Sequence, residues 1–256
     1  MRKYGKLIFL WAVIISTLLI YKLTYQQGYN YVALGDSLAA GMNPYGEENY
    51  GYSDYVKDYL NDKGLLKSYV DDFATSGYTI DALKDDIKYN KRVNINDDEV
   101  SIRKILRESD IVTISIGVRD FLEMFNVKTF NYKVIERITS NKSLYLQKID
   151  IISNELNELI VQIKKYAKND IVLLGYYNPL PYLTSYKDEL DDLVEYSNSK
   201  FAEICEENNI HYVDIFDALD GKLIYFSNPS DMHPNGYGYK AISKSIIEMI
   251  DNNIVN

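Results

Sequence analysis

A serine ends the first hydrophobic run of the chain, in the stretch YVALGDSLAAG at residues 31–41. Strand-forming residues stop at Gly35-Asp36-Ser37, and small residues that favour a helix follow. A serine at the carboxyl end of a strand could be a nucleophile, and the unpaired N–H groups at the start of a helix would stabilise negative charge there. Asp and Ser are also common N-cap residues of helices, so the triplet alone is compatible with either role.

A serine nucleophile needs a base, and the chain has two histidines. His211 lies in the strand-like run HYVDIF, which favours a structural role. His233 lies in the loop SNPSDMHPNGYGYKAI before the last amphipathic segment. Loops at the ends of a sheet often carry catalytic groups, so His233 is the candidate base. Taken alone, it is equally compatible with a turn histidine before Pro234.

Composition argues against several other kinds of chemistry. The net charge of −9 disfavours a nucleic-acid partner, since phosphate binding relies on a basic face. Two histidines in unrelated contexts and one cysteine give no metal-ligand spacing, so we expect no metal. Phosphate-binding, dinucleotide-binding and G-x-S-x-G motifs are also missing, so we expect no cofactor. The single Cys205 is predicted to be a buried apolar residue.

The first 27 residues form a separate unit, an N-terminal membrane anchor or signal segment. Three basic residues precede the uncharged apolar run LIFLWAVIISTLLIY at residues 7–21, as membrane insertion requires. A helix of this length spans about 22 Å and needs a few more residues to cross a bilayer. No A-x-A-like site follows, so we expect an uncleaved single-pass anchor at the cell membrane, with residues 28–256 outside the cytoplasm. A secreted protein is the alternative.

Residues 28–256 alternate strand-like and helix-like segments without long linkers. This βαβ alternation predicts one α/β domain with a largely parallel sheet covered by helices on both faces. Ligand sites in such sheets lie at the carboxyl ends of the strands, where Ser37 is placed. The predicted strands are Tyr29–Leu34, Ser68–Ala74, Ile111–Ile116, Ile171–Leu174 and His211–Val213. The predicted helices are Tyr52–Asn61, Thr79–Tyr89, Ser143–Tyr166, Ser185–Asn208 and Gly236–Asn253.

Four short blocks resemble those of the GDSL, or SGNH, hydrolases in order and approximate spacing. They are ALGDSLAAG, SGYT at residues 76–79, IGVRDF at 116–121 and DMHPNGYGY at 231–239. Two further stretches, GYSDYV at 51–56 and LLGYYNPL at 173–180, resemble a Gram-positive, membrane-anchored, lipase-like branch. The resemblance covers residue 29 to the end of the chain. It implies a flavodoxin-like three-layer α/β/α sandwich with a five-stranded sheet, and metal-independent hydrolysis of esters through an acyl-enzyme.

The resemblance also implies roles for individual residues. Ser37 resembles the nucleophile, and His233 resembles the general base that removes its proton. Gly77 resembles the glycine whose backbone N–H joins that of Ser37 in the oxyanion hole. Such donors matter because charge develops on the carbonyl oxygen as the serine adds.

Two positions depart from the family pattern. The third block of the family reads Gly-x-Asn-Asp, whereas here Arg119 replaces the asparagine that completes the oxyanion hole. Arg119 could donate to the oxyanion, or it could swing away, block the pocket, or pair with Asp120 or another nearby carboxylate. The family usually places its aspartate three residues before the histidine, which is Ser230 here, and Asp231 follows it. Either Asp231 orients His233 from a shifted loop, or a backbone carbonyl replaces it.

The pattern leaves three functions open. The leading hypothesis is an extracytoplasmic, membrane-anchored esterase or lipase that acts on lipid or small acyl esters as a monomer. The second is an O-deacetylase of cell-wall or surface polysaccharide, and the third is a non-catalytic binding protein on the same fold. Residues 126–145 resemble a lid-like insertion. Aromatic residues after the strand ends are candidates for the pocket wall: Tyr45, Tyr50, Tyr52, Phe121, Phe125, Tyr176, Tyr177 and Tyr182.

Overall fold

The computed structural model describes residues 11, 13–17, 28–95, 97–127 and 132–255. The predicted anchor at residues 7–21 lies mostly outside these ranges and stays a prediction. Within the described ranges, every helix is too short or too polar to cross a bilayer.

Five parallel strands form the central sheet. They are β1 (Tyr29–Gly35), β2 (Leu66–Ala74), β5 (Ile111–Ser115), β6 (Asp170–Leu174) and β7 (His211–Val213). Their order across the sheet is β2-β1-β5-β6-β7. Counting only these strands along the chain, the order is 2-1-3-4-5, which is that of flavodoxin. The predicted five-stranded, mostly parallel sheet is therefore confirmed. Two short strands, β3 (Arg92–Ile95) and β4 (Asp98–Ser101), form a separate antiparallel hairpin.

Helices cover both faces of the sheet, as the βαβ pattern predicted. One face packs against α2 (Ile80–Tyr89), α3 (Ile102–Glu108), α6 (Lys142–Lys164) and α7 (Lys187–Asn208). The other packs against α1 (Tyr52–Asp62), α8 (Phe216–Leu219) and α9 (Gly236–Asn253). Two short helices, α4 (Val118–Met124) and α5 (Tyr132–Thr139), lie near the carboxyl ends of the strands and at the start of α6.

Strand β1 shows why the sequence forms this three-layer structure. Val32 and Leu34 are buried in the cluster on one face, whereas Tyr31 and Ala33 are buried in the cluster on the other. A strand covered on both faces has a continuous run of apolar residues rather than alternating apolar and polar residues. The run YVAL that precedes the serine is therefore the signature of a central strand.

Strands β1 and β5 lie side by side, with Gly35 opposite Ser115 at their carboxyl ends. This pair is the point at which the strand order reverses, where α/β sheets of this kind form a ligand-binding crevice. Ser37 follows β1 and Gly117 follows β5, so the first and third sequence blocks meet at this crevice.

Candidate active site

Ser37 lies in a tight turn immediately after β1. Gly35 has φ of +139°, and a Cβ at this position would lie 1.8 Å from the carbonyl oxygen of Ser115, so only glycine fits. The N–H of Ala40 donates to the carbonyl of Asp36 (3.0 Å), and that of Met42 donates to the carbonyl of Ser37 (2.9 Å). The expected helix start after the serine is thus a single hydrogen-bonded turn, not a regular helix.

The hydroxyl of Ser37 is hydrogen-bonded to His233, almost two hundred residues away in the chain. Ser37 Oγ lies 2.9 Å from His233 Nε2, and His233 Nδ1 lies 2.7 Å from Asp231 Oδ1. A carboxylate can only accept, so Nδ1 carries the ring proton and Nε2 is left to accept from the serine. The structure therefore brings together the three side chains that the sequence proposed as nucleophile, base and orienting carboxylate.

The loop that carries His233 is held in place from three sides. Asn228 donates from its side-chain amide to the carbonyl of Pro44 (2.8 Å), beside the serine turn. The hydroxyl of Tyr177 donates to the carbonyl of Met232 (3.0 Å). Asn235 then caps α9 by accepting the N–H groups of the first helical turn. The imidazole is therefore fixed in position by contacts that do not involve the serine.

Asp231 occupies the position of an orienting carboxylate despite its shifted place in the sequence. Its Oδ1 accepts both the ring Nδ1–H and the backbone N–H of His233 (2.8 Å). Ser230, at the position where the family usually has its aspartate, is exposed, and its N–H donates to Asn228. The two-residue spacing is possible because the chain turns sharply at Asp231, whose N–H donates to the carbonyl of Asn228.

Asp36 shapes the turn that presents the serine. Its carboxyl is buried, and its Oδ1 accepts the N–H of Leu38 (3.1 Å). Burial raises the pKa of Asp36 to about 7, and the N–H of Leu38 opposes that shift. The turn is capped by Asp36 rather than by Ser37, whose hydroxyl is therefore available to His233.

Gly77 lies at the same edge of the sheet as Ser37. It follows β2, which pairs with β1 so that Ala74 is opposite Gly35, and the N–H of Thr75 donates to the carbonyl of Gly35 (3.0 Å). Gly77 has φ of +79°, and a Cβ there would meet nothing within 4 Å. The residue therefore borders open space beside the serine turn, and its role in the oxyanion hole stays a prediction.

Asp120 ties the second sequence block to the third. Its carboxylate accepts the N–H of Ile80 (3.1 Å), the first residue of α2 after the cap Thr79. Burial raises the pKa of Asp120 to about 6, and the N–H of Ile80 opposes the shift. This contact fixes the loop of Gly77 against α4.

Arg119 is not brought to Ser37. Its Nε donates to Glu123 Oε1 (2.6 Å) one turn along α4, and half of the side chain is exposed. Pairing with a neighbouring carboxylate was one of the arrangements foreseen from the sequence. An oxyanion role for Arg119 stays a prediction, and the ion pair with Glu123 does not support it.

We expect Arg119→Ala to keep kcat/KM for a p-nitrophenyl ester within about twofold of the wild type, because an exposed ion pair contributes little. Glu123→Ala removes the same ion pair from the other side and should behave alike. A loss of tenfold or more for Arg119→Ala, with Glu123→Ala unaffected, would place the guanidinium in the oxyanion hole during turnover.

An apolar cavity opens directly beside Ser37 and His233. It encloses about 150 Å³ and runs between α4, α5, α6 and α7. Of the aromatic residues predicted for the pocket wall, Phe121, Phe125, Tyr176 and Tyr177 line it, whereas Tyr52 is buried in the core. The aliphatic part of the wall was not predicted: Leu38, Val118, Leu122, Val127, Ile135, Ile138, Ile149, Pro179, Leu180, Leu190, Leu193, Val194 and Met232.

The remaining candidate residues have structural roles. His211 Nε2 pairs with Asp170 Oδ1 (2.9 Å) at the opposite edge of the sheet, where β6 begins. Cys205 is buried, and burial raises the pKa of its thiol to about 12, which makes it a poor nucleophile. Among the described residues, no group of three or more metal-binding side chains is found.

The site matches the family that the sequence blocks suggested. Residues 33–241 match the sequence model of the GDSL-like lipase/acylhydrolase family. The chain is also 26% identical over 223 residues to the uncharacterized protein YpmR of Bacillus subtilis (strain 168), with 85% of this chain and 80% of that protein covered.

Solved structures show the same fold. The lipase Lip_vut3 from a goat rumen metagenome has a TM-score of 0.63 at 20% identity, over 85% of this chain and 95% of that one. A variant of Axe2, an acetyl-xylooligosaccharide esterase from Geobacillus, has a TM-score of 0.60 at 19% identity, over 90% of this chain and 99% of that one. Because the family match spans most of the chain and includes the blocks that carry Ser37 and His233, the protein belongs to the GDSL-like lipase/acylhydrolase family and is a serine hydrolase of ester bonds.

Proposed function

We propose that the protein hydrolyses carboxylic esters through an acyl-enzyme on Ser37. The observation that carries this proposal is the continuous chain of hydrogen bonds from Asp231 through His233 to the hydroxyl of Ser37. Each link has the length and direction that proton transfer from serine to imidazole requires.

In the first half of the reaction, Ser37 Oγ attacks the ester carbonyl and His233 Nε2 takes the hydroxyl proton. The negative charge that develops on the carbonyl oxygen is stabilised by the backbone N–H groups of Ser37 and Gly77. His233 then gives its proton to the departing alcohol, and the acyl group stays on Ser37.

In the second half, His233 takes a proton from water, and the resulting hydroxide attacks the acyl-enzyme carbonyl. The serine recovers its proton from His233 as the carboxylic acid leaves. Asp231 remains a carboxylate throughout, because its task is to fix the imidazole and stabilise its positive charge.

We further propose that this reaction takes place outside the cytoplasm, on a domain tethered to the cell membrane by the first 27 residues. The support is the basic flank and the uncharged run at residues 7–21. A secreted enzyme is the alternative, and we propose a monomer in either case.

An O-deacetylase of a surface polysaccharide is a second candidate. It is favoured by the likeness to Axe2, an acetyl-xylooligosaccharide esterase. Both candidates use the same three side chains and differ in the acyl group that they accept.

Fluorophosphonate labelling of the full-length protein tests the proposed nucleophile. We expect one covalent adduct, mapped by mass spectrometry to the peptide of Ser37, and none in Ser37→Ala. The matched control is Ser230→Ala, which changes an exposed serine of the histidine loop and should leave labelling unchanged. An adduct on another residue, or none on the folded wild type, would contradict the proposal.

A further inference from the structure

The cavity beside Ser37 continues from the strand ends into the helical layer. Its wall includes Ile149 from α6 and Leu193 from α7, two of the four helices that cover one face of the sheet. Ile149 is 1% exposed and Leu193 is 7% exposed. Both side chains are buried, so this part of the cavity wall lies within the helical layer rather than at the surface.

Helix α5 covers this space from outside. Ile135 and Ile138 lie one turn apart on its buried face and form part of the cavity wall, whereas Glu136 and Arg137 are exposed. Arg137 donates to the carbonyl of Phe125 (2.7 Å), which attaches α5 to the end of α4. The segment that the sequence singled out as lid-like thus supplies apolar side chains to the site.

Away from Asp36 and the catalytic pair at Ser37 and His233, the side-chain hydroxyl groups of the wall already have acceptors, whereas the buried Oδ2 of Asp36 has no hydrogen-bond partner among the described residues. Tyr176 donates its hydroxyl to the carbonyl of Ile116 (2.7 Å), and Tyr177 donates to Met232. Ser197 donates to the carbonyl of Leu193 (2.9 Å). A sugar placed inside would lose its hydrogen bonds to water and find few replacements, which is costly for every hydroxyl.

From this geometry we infer that the cavity binds a hydrocarbon acyl chain, and that residues of α6 and α7 limit its length. The inference rests on the proposed function, since the chain belongs to the ester that Ser37 attacks. Only the acyl part fits this environment, because its carbonyl carbon must lie at Ser37 while the rest of the chain needs an apolar wall. The polar alcohol part then lies outside the apolar wall, on the side of His233.

The inference predicts how activity depends on the acyl chain. Each methylene that enters the cavity should raise kcat/KM about fourfold, the factor expected for burial of one CH₂. We therefore expect full-length protein to hydrolyse p-nitrophenyl octanoate with a kcat/KM at least tenfold above that for the acetate. The leaving group is the same in both esters, so only the acyl chain is compared.

Two variants fill the cavity from different helices. Ile149→Phe and Val194→Phe should each lower the ratio of kcat/KM for the octanoate to kcat/KM for the acetate by about tenfold or more. The matched control is Ile151→Phe, which makes the same change on α6 at a residue that is 50% exposed. Val194 is only half-buried, so this variant tests the inference even if Ile149→Phe does not fold.

The outcomes separate the inference from the function on which it rests. A wild-type enzyme that prefers the acetate, or filling variants that lower both esters equally, would overturn the acyl-chain cavity and favour the deacetylase. Activity that persists in Ser37→Ala would instead overturn the proposed function, whatever the chain length.

Discussion

Replacing Ser37 by alanine is expected to lower kcat for p-nitrophenyl butanoate by about 10⁴- to 10⁶-fold, and His233→Ala should cost about as much. The double variant should lose no more than either single variant. The reason is that the two side chains perform one step together: His233 has no proton to remove without the serine, and the serine is a weak nucleophile without the base. Initial rates of p-nitrophenol release from the three purified proteins measure this.

His211→Ala is the matched control for the histidine, because His211 is paired with Asp170 at the opposite edge of the sheet. Its kcat should stay within about twofold of the wild type if the fold is retained, which circular dichroism checks. Losses that add up in the double variant, or a His233→Ala protein that keeps a tenth of its activity, would contradict a shared step for Ser37 and His233.

The sheet and its long helices could be predicted from sequence because their patterns are long and consistent. Every boundary of the five sheet strands and of the five predicted helices agrees with the structure to within two residues. The central strands β1, β5 and β6 carry mostly apolar residues because both of their faces are covered, and the helices carry apolar residues every third or fourth position over several turns.

The short elements were missed for the opposite reason. The hairpin of β3 and β4 has the sequence RVNI and DEVS, in which charged and polar residues interrupt the apolar ones, and much of it is exposed. Helices α4 and α5 have seven and eight residues, about two turns each. Two turns contain too few positions for a helical period to be distinguished from a loop.

The candidate site, like the fold, has features that could be predicted from the sequence and features that could not. The pairing of Ser37 with His233 was implied by the resemblance of their two sequence blocks to the GDSL hydrolases, and the position of Ser37 at a strand end is compatible with that pairing. The sequence left several directions open for Arg119, and it did not indicate the aliphatic part of the cavity wall. The direction of Arg119 depends on Glu123 one turn away on the same helix, and the wall depends on how four helices pack around a space that no single segment encodes.

Asp231→Asn is expected to lower kcat by about 10³- to 10⁴-fold while KM changes little, since Asp231 acts on His233 and not on the substrate. An asparagine can direct its amide N–H at Nδ1, which would move the ring proton to Nε2. That nitrogen could then no longer accept the proton of Ser37, although all three side chains would keep their places.

The matched control for this variant lies next to it. Ser230→Ala changes the position where the family usually has its aspartate, in the same loop, at an exposed side chain that does not touch the imidazole. We expect Ser230→Ala to keep the wild-type kcat. The rate of fluorophosphonate labelling should fall in Asp231→Asn in parallel with kcat, because both depend on the same proton transfer. If Asp231→Asn retained more than a tenth of the wild-type kcat, the 2.7 Å contact between Asp231 and His233 would be structural, and a different group would have to orient the base.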